Sequence, residues 1–480
     1  MDQRNMTITI NDVALRNVSE LEGRRMKAND VKHRKEALFH CCEIVLGKLL
    51  GTGAFCEVHE LEDVRLLNVK ELPGCIHSKC RIIDEENERR KREHLRLACH
   101  DAKGKLRYVV KHLRPDLAAD RGMKVFSRAA VDCLRELNIL SRLCHKNVVR
   151  VRGSALSGRN VINKSDNSNK DFMKIASQND PKAFFIVLER VEETLSQRIR
   201  QWRLSEKPKA IDSSISDADT MLPLFYPDKL RFGLHIASAI DHVHSHGMIF
   251  RDLKPDNVGI ASGGIAKLFD FGLCRSMPLE DDKTLSYKNN AKREPVYRMS
   301  TVGTRRYMSP EMISGDGYNQ KTDCYSWSMV FYEMLSLQKP YARYNREAHK
   351  VFVCDNHGRP CVSAGNVPWS SRDLLERTWA HDISDRPCMK AVCKELELMI
   401  DTVEKQALPL VERSLRAVFE MAKLLAFDEN EAVPCLGSTT CPFNDDDQHP
   451  GKRYSSHSPQ KSSGTETSIS VPDLSIVAAE

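Results

Sequence analysis

The sequence predicts an α+β protein with a β-rich first part and a mainly helical second part. Two short runs, 106–113 and 183–188, are dense in β-branched and aromatic residues, which is typical of buried strands. Leucines recur at every third position over 134–143, and apolar residues repeat at helical spacing further along the chain. We therefore expect helices over 126–143 and 227–246.

The composition limits the class of protein. The chain has 480 residues, of which 41% are hydrophobic, enough for about two or three core-bearing units. Its 73 basic and 66 acidic residues leave a net charge of +7, a small excess that does not suggest a nucleic-acid partner. There is no apolar N-terminal run, no stretch of about 18 apolar residues, and no framework spacing among the 16 cysteines. We expect a cytoplasmic protein without a membrane segment, and the nucleus stays open as a location.

The N-terminal region divides into a polar leader and a glycine-containing hairpin. Residues 1–42 are polar and basic, so a mobile leader is expected, with at most a short strand over 8–15. Residues 46–58 then read as strand, glycine turn and strand. Gly51 and Gly53 lack the Cβ that would keep backbone amides away from phosphate oxygens. Such a pair is a weak signal by itself, because plain hairpin turns carry it too.

Three polar segments are expected to be insertions, near 63–106, 155–182 and 204–226. In the first, dense alternating charge over 85–93 predicts an exposed, solvated helix. The same insertion contains thiols and imidazoles that are potential zinc ligands, but they lack the paired spacing of zinc modules, so zinc is not favoured there. These residues are Cys75, His77, Cys80, Cys99 and His100.

The most specific motif runs from Phe250 to Asn257 and is followed, thirteen residues later, by Asp270-Phe271-Gly272. It places two carboxylates, Asp252 and Asp270, with the Lys254 ammonium and the Asn257 amide. Phosphoryl transfer from ATP requires these chemistries: a carboxylate at the incoming hydroxyl, metal ligands, and a cation at the phosphates. The order and spacing resemble the catalytic and metal loops of eukaryotic-type protein kinases.

This resemblance extends over 43–402 and points to the serine/threonine branch, with tyrosine-kinase-like sequence features near 303–311. It implies a bilobal protein-kinase fold with a small β-rich N-lobe and a larger, mainly helical C-lobe. Mg²⁺ and ATP are expected between the lobes, and a protein as the phosphate acceptor. By resemblance, the catalytic residues are Asp252 as base, Lys254, and the pair formed by Lys111 and Glu136. The metal ligands would be Asn257 and Asp270.

By the same resemblance, ATP would contact the glycine hairpin, the strand that carries Lys111, and the hinge after the gatekeeper Leu188. The residues assigned to this nucleotide site are Gly51, Gly53, Val58, Val109, Lys111, Glu189 and Val191.

The activation segment, from Asp270 to Glu311, carries the expected regulatory residues. Arg251 resembles the arginine through which many kinases sense a phosphate, and Ser300 or Thr301 is the expected phosphorylation site. Two further resemblances are structural: Asp323 would hold the backbone of the catalytic loop, and Arg386 would pair with Glu311.

Four residues depart from the family pattern. Cys56 stands at the third glycine, Val109 replaces an alanine above adenine, Gly259 replaces a leucine beneath it, and Phe250 replaces a histidine. Phe250 is expected to stack on Phe271. For Cys56 two hypotheses are open: a tolerated small residue without chemistry, or an exposed thiol at the loop tip whose thiolate Lys111 favours.

After the catalytic region, residues 403–427 predict an amphipathic helical extension and 428–480 have the composition of a disordered tail. The expected function is a serine/threonine protein kinase. A pseudokinase scaffold that signals by association is the alternative, and a kinase that acts on small molecules has less support.

Overall fold

A computed structural model describes residues 36–67, 85–155, 184–205, 225–278, 295–362 and 367–406. It has a β-sheet N-lobe and a helical C-lobe, so the predicted fold class is confirmed. The elements of the N-lobe are β1 (Ala37–Phe39), β2 (Ile44–Thr52), β3 (Cys56–Val64), α1 (Glu85–Leu97), β4 (Tyr108–Leu113), α2 (Leu117–Arg121), α3 (Met123–Arg142), β5 (Val151–Ala155) and β6 (Phe185–Glu189).

The N-lobe sheet has the strand order β1-β5-β6-β4-β3-β2, in which β1 and β5 are parallel and the other pairs are antiparallel. Side chains alternate between its two faces. On β4, Val109 and Leu113 pack into the main core with α3, whereas Tyr108 and Val110 belong to a second cluster on the opposite face. Lys111 is thereby directed to the same face as Val109, toward α3 and the C-lobe.

Helix α1 covers part of the outer face of this sheet, which corrects the first of two expectations about the N-lobe. The 85–93 run was expected to be solvated, yet Arg92 is buried and pairs with the fully buried Glu43 at 2.7 Å. Glu88 is also buried and accepts a hydrogen bond from the backbone N–H of Leu38 at 3.0 Å. A charged residue can be buried when a partner compensates it, and these partners come from a remote segment that local charge patterning cannot reveal.

The second correction concerns the leader. Residues 37–39 were assigned to a mobile segment but form β1, which pairs with β5 in the register Ala37↔Gly153. The sheet therefore begins before residue 43. Residues 1–35 lie outside the described part of the chain.

The C-lobe elements are β7 (Glu193–Thr194), α4 (Leu195–Ser205), α5 (Tyr226–Ser245), β8 (Met248–Ile249), β9 (Val258–Ala261), β10 (Ile265–Leu268), β11 (Arg275–Ser276), α6 (Pro310–Ser314), α7 (Lys321–Ser336), α8 (Arg346–Lys350), α9 (Trp369–Thr378) and a last helix, α10, over 389–406. Helix α7 is buried along its length and forms the centre of the lobe. Its Trp327 donates a hydrogen bond to the carbonyl oxygen of Gly233 on α5, at 3.0 Å. The catalytic motif lies between β8 and β9, directly against this packed pair of helices.

The observed helices agree closely with the two expected from periodicity: 126–143 is observed as α3, and 227–246 as α5. The extension predicted over 403–427 falls mostly outside the described residues, as do the tail and most of the second and third insertions. Within the described ranges, no helix is both long enough and apolar enough to span a membrane.

Candidate active site

Asp323 fixes the backbone of the catalytic loop. Its side chain is fully buried, and its two carboxylate oxygens accept hydrogen bonds from the N–H groups of Phe250 at 2.8 Å and Arg251 at 2.9 Å. His244 Nε2 lies 2.9 Å from the same carboxylate. Arg251 itself has a φ of 72°, a strained conformation that these two bonds help to maintain. The predicted structural role of Asp323 is confirmed.

Asp252 is held by four hydrogen bonds. Its Oδ1 accepts from the backbone N–H and from the hydroxyl of Thr304, both at 2.8 Å. Its Oδ2 accepts from Lys254 Nζ at 2.9 Å and from Asn257 Nδ2 at 3.0 Å. Lys254 Nζ also donates to the Thr304 hydroxyl at 3.0 Å. The carboxylate is therefore oriented from both sides and lies next to a cation.

Thr304 is a site residue that the sequence analysis did not assign. It lies within 303–311, a stretch used above only to compare the chain with branches of the kinase family. The preceding Gly303 explains how the segment approaches so closely. Its φ is +109°, and a Cβ on it would lie 2.5 Å from the carbonyl oxygen of Arg251. Only glycine fits this crossing of the two loops without displacement.

Lys111, Glu136 and Asp270 meet at the junction of the lobes. Lys111 Nζ on β4 lies 2.7 Å from Glu136 Oε2 on α3 and 3.0 Å from Asp270 Oδ1 after β10. Burial lowers the pKa of Lys111, but the two carboxylates outweigh it and hold this pKa well above its usual value. The charge of Lys111 is the main cause that lowers the pKa of Asp270, whereas burial raises the pKa of Glu136. Lysine and aspartate are therefore both charged at neutral pH.

The Asp270-Phe271-Gly272 segment is tied to α3 as well. Asp270 has a left-handed backbone conformation, with φ 62° and ψ 70°, and the N–H of Phe271 donates to Glu136 Oε1 at 3.2 Å. Phe271 is fully buried, and its ring meets that of Phe250 edge to face, with centroids 5.0 Å apart and an interplanar angle of 76°. The predicted contact between the two phenylalanines is confirmed.

The glycine hairpin joins β2 to β3 above this cluster. The backbone N–H of Gly53 donates to the carbonyl oxygen of Cys56 at 2.8 Å, which closes the turn. Gly51 is exposed, and a Cβ on it would meet no atom within 4 Å, so the fold itself does not require glycine there. The absent side chain instead leaves room next to the backbone.

The strands beneath the hairpin place the other nucleotide-site candidates. Val58 on β3 lies opposite Lys111 on β4, and Val109 lies opposite the buried Leu188 on β6. Glu189, at the start of the hinge, uses its carboxylate in ion pairs with Arg152 and Lys267, each at 2.9 Å. The Glu189 side chain is therefore structural, and at this residue only the main-chain groups remain as candidates for adenine contacts.

Val191 occupies the space left by the glycine at position 259. A Cβ on Gly259 would lie 2.5 Å from Val191 Cγ1 and 2.7 Å from both Cβ and Cγ2 of the same residue. These distances are shorter than any van der Waals contact between carbons. Where the family has a leucine at this position, the chain has Gly259, and the Val191 side chain from the hinge fills the space beside it.

Of the two hypotheses for Cys56, the structure contradicts the exposed, activated thiol. Cys56 is the first residue of β3, it lies opposite Leu113, and its side chain packs against the main core. Burial raises its pKa to about 11, and the opposing effect of Lys111 is smaller. The tip of the hairpin is instead formed by the exposed residues Gly53, Ala54 and Phe55.

The predicted metal ligands have suitable chemistry for a hard divalent cation. Asp270 is ionised and its side chain is 46% exposed, although it shares the ammonium of Lys111 with Glu136. Asn257 directs its amide nitrogen to Asp252, which turns its oxygen away, and its backbone carbonyl accepts from the N–H of Phe269 at 3.1 Å. Carboxylate and amide oxygens are the ligands that Mg²⁺ prefers. The residues present therefore fit such an ion.

Residues of the activation segment and its supports also lie as the sequence suggested. Arg386, which is buried, forms two hydrogen bonds to Glu311, at 2.7 and 2.8 Å. Burial raises the pKa of Glu311, but Arg386 reverses this effect and the pKa is lowered. The predicted pair is confirmed. Ser300 and Thr301 are both exposed.

Comparison with known proteins supports the assignment that the fold and site suggest. Residues 96–396 match the family model described as the protein kinase domain, which covers more than half of the chain. The chain therefore belongs to the protein kinase family, and its relatives place it in the serine/threonine branch.

Three relatives illustrate the similarity. A probable LIM domain-containing serine/threonine-protein kinase of Dictyostelium discoideum is 32% identical over 185 residues, which is 38% of this chain and 26% of the relative. The serine/threonine-protein kinase VIK of Arabidopsis thaliana is 31% identical over 179 residues, 36% of this chain and 38% of the relative. Mitogen-activated protein kinase kinase kinase 7 of Bos taurus is 27% identical over 165 residues, 34% of this chain and 26% of the relative. The chain thus spans well under half the length of these relatives.

Proposed function

We propose that this chain is an active kinase that transfers the γ-phosphoryl group of Mg-ATP to a serine or threonine hydroxyl of a protein substrate. One observation carries the proposal: the same structure contains both the Lys111–Glu136–Asp270 ion-pair group and the fully oriented Asp252 carboxylate. Kinase catalysis depends on positioning and electrostatics, so these parts must be in place together.

Asp252 is the group that receives the incoming hydroxyl. Lys254 lies 2.9 Å from it and supplies a positive charge beside the transferred phosphoryl group, while Thr304 keeps the carboxylate in one orientation. A carboxylate oriented in this way accepts the hydroxyl proton as the phosphoryl group departs from ADP. Lys111 neutralises phosphate charge, and Glu136 fixes its ammonium in the cleft.

Asn257 and Asp270 would hold Mg²⁺. The ion would supply neutralisation of the negative charge on the β- and γ-phosphates. Asp270 suits this role because its carboxylate is ionised and its side chain is 46% exposed. The backbone of Gly51 and Gly53 and the side chains of Val58, Val109 and Val191 would enclose the nucleotide.

The test compares two site variants with a neighbouring control. Asp252→Asn and Asp270→Asn should each lower phosphoryl transfer by at least tenfold, and Asp252→Asn should leave ATP affinity nearly unchanged. Asp256→Asn removes an exposed carboxylate of the same loop and should retain activity. Transfer is measured by intact mass of the full chain after incubation with Mg-ATP, and the modified residue type by peptide sequencing.

Each result distinguishes one hypothesis. More than a tenth of wild-type transfer in either site variant would refute the assigned roles. A wild-type chain that binds ATP without any transfer, to itself or to a generic protein substrate, would identify a pseudokinase. Phosphotyrosine as the main product would exclude serine/threonine specificity.

Regulation by phosphorylation is the second part of the proposal, and Ser300 is the preferred site. Arg251 Nη1 lies 3.4 Å from the Ser300 hydroxyl and 3.1 Å from the hydroxyl of Tyr318, which in turn donates to the Ser300 carbonyl at 2.8 Å. The exposed hydroxyl of Ser300 is thus already next to a buried guanidinium. A dianionic phosphate at this position would form charge-assisted hydrogen bonds.

The charge around Arg251 favours such an anion. Burial, together with the nearby positive charges of Arg135 and Arg251, lowers the pKa of Arg275 to about 10. Three guanidinium groups therefore share this region, and the carboxylate of Asp132 accompanies Arg135 and Arg275.

Single Ser300→Ala and Thr301→Ala variants, compared after phosphorylation of the wild type, separate the two candidates. We expect the first to lower activity and the second to retain it. If the double variant matches the phosphorylated wild type, the switch lies at another residue.

A further inference from the structure

We propose that the outer face of the N-lobe sheet contains a binding site for a divalent transition metal, best suited to Zn²⁺, formed by Glu57, His59 and His112. Glu57 and His59 are two residues apart on β3 and therefore project from the same face. His112 on β4 lies directly opposite Glu57 in the strand register. One ligand atom from each of the three residues lies within 4.8 Å of the other two.

The hydrogen bonds of both imidazoles prepare them for metal binding. His59 Nδ1 lies 3.2 Å from the carbonyl oxygen of Gly47, and His112 Nδ1 lies 2.8 Å from the carbonyl oxygen of Leu113. A carbonyl oxygen can only accept, so each Nδ1 carries a proton, and in the neutral ring Nε2 then has the lone pair. Histidines that bind metal usually donate their other ring N–H to a carbonyl or carboxylate in this way.

The third ligand completes a known type of donor set. Glu57 Oε2 lies 3.5 Å from His59 Nε2, so a proton can join the two atoms, and a bound metal ion would take the place of that proton. Two imidazoles and one carboxylate form a three-residue zinc set in which a fourth position stays available to water. The anionic carboxylate also offsets part of the metal's charge at a partly buried position.

Two of the three ligands are partly exposed, so a metal can reach the site, and the third is buried, which limits its motion. His112 is 4% exposed, whereas the side chains of His59 and Glu57 are 18% and 20% exposed. The two rings are stacked, with centroids 5.1 Å apart and an interplanar angle of 25°. Zinc–nitrogen bonds of about 2.0–2.1 Å require the rings to tilt toward each other, and the partly exposed His59 is the ring with room to do so.

This site is separate from the active site. Val58 and Lys111 alternate with the three ligands along β3 and β4, so they project from the opposite face, toward the nucleotide-site candidates. Through the bond from His59 to Gly47, the site also reaches β2, the other strand of the glycine hairpin. A bound metal would therefore join β2, β3 and β4 behind the hairpin and reduce its motion.

The experiment uses the metal-free full chain and Zn²⁺ alone. Zn²⁺ is titrated against a chromophoric chelator with wild type, His59→Gln, His112→Gln and Glu57→Gln. We expect wild type to bind one more equivalent than His59→Gln and His112→Gln, and Glu57→Gln to bind that equivalent at least about tenfold more weakly. His94→Gln is the matched control, because His94 is an exposed histidine of the same lobe. It should bind as wild type does.

Two further measurements separate this site from the cysteines. Co²⁺ at the site should give a d–d spectrum that is absent from His59→Gln, without the sulfur-to-metal absorption that thiolate ligands produce. Hydrogen exchange over 47–58 should become slower with Zn²⁺ in wild type and in His94→Gln, and should not change in His59→Gln. Because His112 is buried, His59→Gln and Glu57→Gln suffice if the His112 variant does not fold. Equal stoichiometry and affinity in wild type and these two variants would overturn the proposal.

Discussion

The contact between Gly259 and Val191 can be tested by adding one methyl group. In Gly259→Ala the new Cβ would lie 2.5 Å from Val191 Cγ1 and 2.7 Å from its Cβ and Cγ2. Three overlaps with one β-branched side chain cannot be relieved by rotation about χ1 alone, because the Cβ overlap does not change with χ1. Val191 or strand β9 must therefore shift.

Forcing an extra methyl into packed space costs about 1–3 kcal/mol. At about 2–4 °C per kcal/mol for a domain of 150–250 residues, the melting temperature should fall by about 2–12 °C. Thermal unfolding followed by circular dichroism measures this. Gly51→Ala is the control, because its Cβ would meet no atom within 4 Å. Its stability should stay within about 0.5 kcal/mol of wild type.

Second variants at position 191 test whether the Val191 side chain is the obstacle to a Cβ at position 259. Val191→Gly removes all three overlapping atoms, so Gly259→Ala should cost little in that background, with a coupling energy of at least about 1 kcal/mol. Val191→Ala removes Cγ1 and Cγ2 but keeps the Cβ at 2.7 Å, so its rescue should be partial. Additive effects in both double variants, or an unchanged melting temperature in Gly259→Ala, would refute this account.

Three other predictions follow from the site and its supports. Gly303→Ala should lower kcat at least tenfold with a smaller change in ATP affinity, because the new Cβ would displace the segment that orients Asp252. An unchanged kcat would contradict this. Cys56 has a pKa of about 11, so at pH 7.5 iodoacetamide should label it more slowly than the exposed Cys144. The labelling rate of Cys56 should rise about tenfold per pH unit toward pH 11. Peptide mass spectrometry measures both rates, and equal labelling of the two cysteines at pH 7.5 would contradict the assignment. Arg386→Ala should lower the free energy of unfolding by about 3–5 kcal/mol, because it leaves the Glu311 carboxylate, whose side chain is only 12% exposed, without its ion-pair partner. Because the pKa of Glu311 is lowered in the folded protein, the pair stabilises the wild type at pH values above 4.5, the ordinary pKa of a glutamate. This stabilisation is lost as the pH falls below that value. The loss of stability on acidification should therefore be smaller in the variant.

The parts of this protein that local sequence specifies were predicted well. Helix α3 was placed within three residues at each end, because its apolar repeat alone determines which face is buried. The catalytic and metal candidates were found because most of them lie within one stretch, 252–270, at characteristic spacing. The ion pair of Glu311 and Arg386 was found by resemblance, and the structure contains it.

The errors have a common cause. Alternating charge over 85–93 indicated a solvated helix, but Arg92 is buried because Glu43, from a remote segment, compensates its charge. Cys56 was expected at an exposed tip, but its pairing with β4 turns its side chain toward the core, where desolvation disfavours the thiolate.

The sequence by itself determined the fold class, the two long helices α3 and α5, and the residues proposed to carry phosphoryl-transfer chemistry, because each depends on periodicity or on short motifs. Only the tertiary structure decided that Thr304 supports Asp252, that Val191 fills the space beside Gly259, and that His59 and His112 share one face of the sheet. Such contacts arise where segments far apart in the chain meet. Their partners are fixed by strand register and packing, which no local pattern of residues encodes.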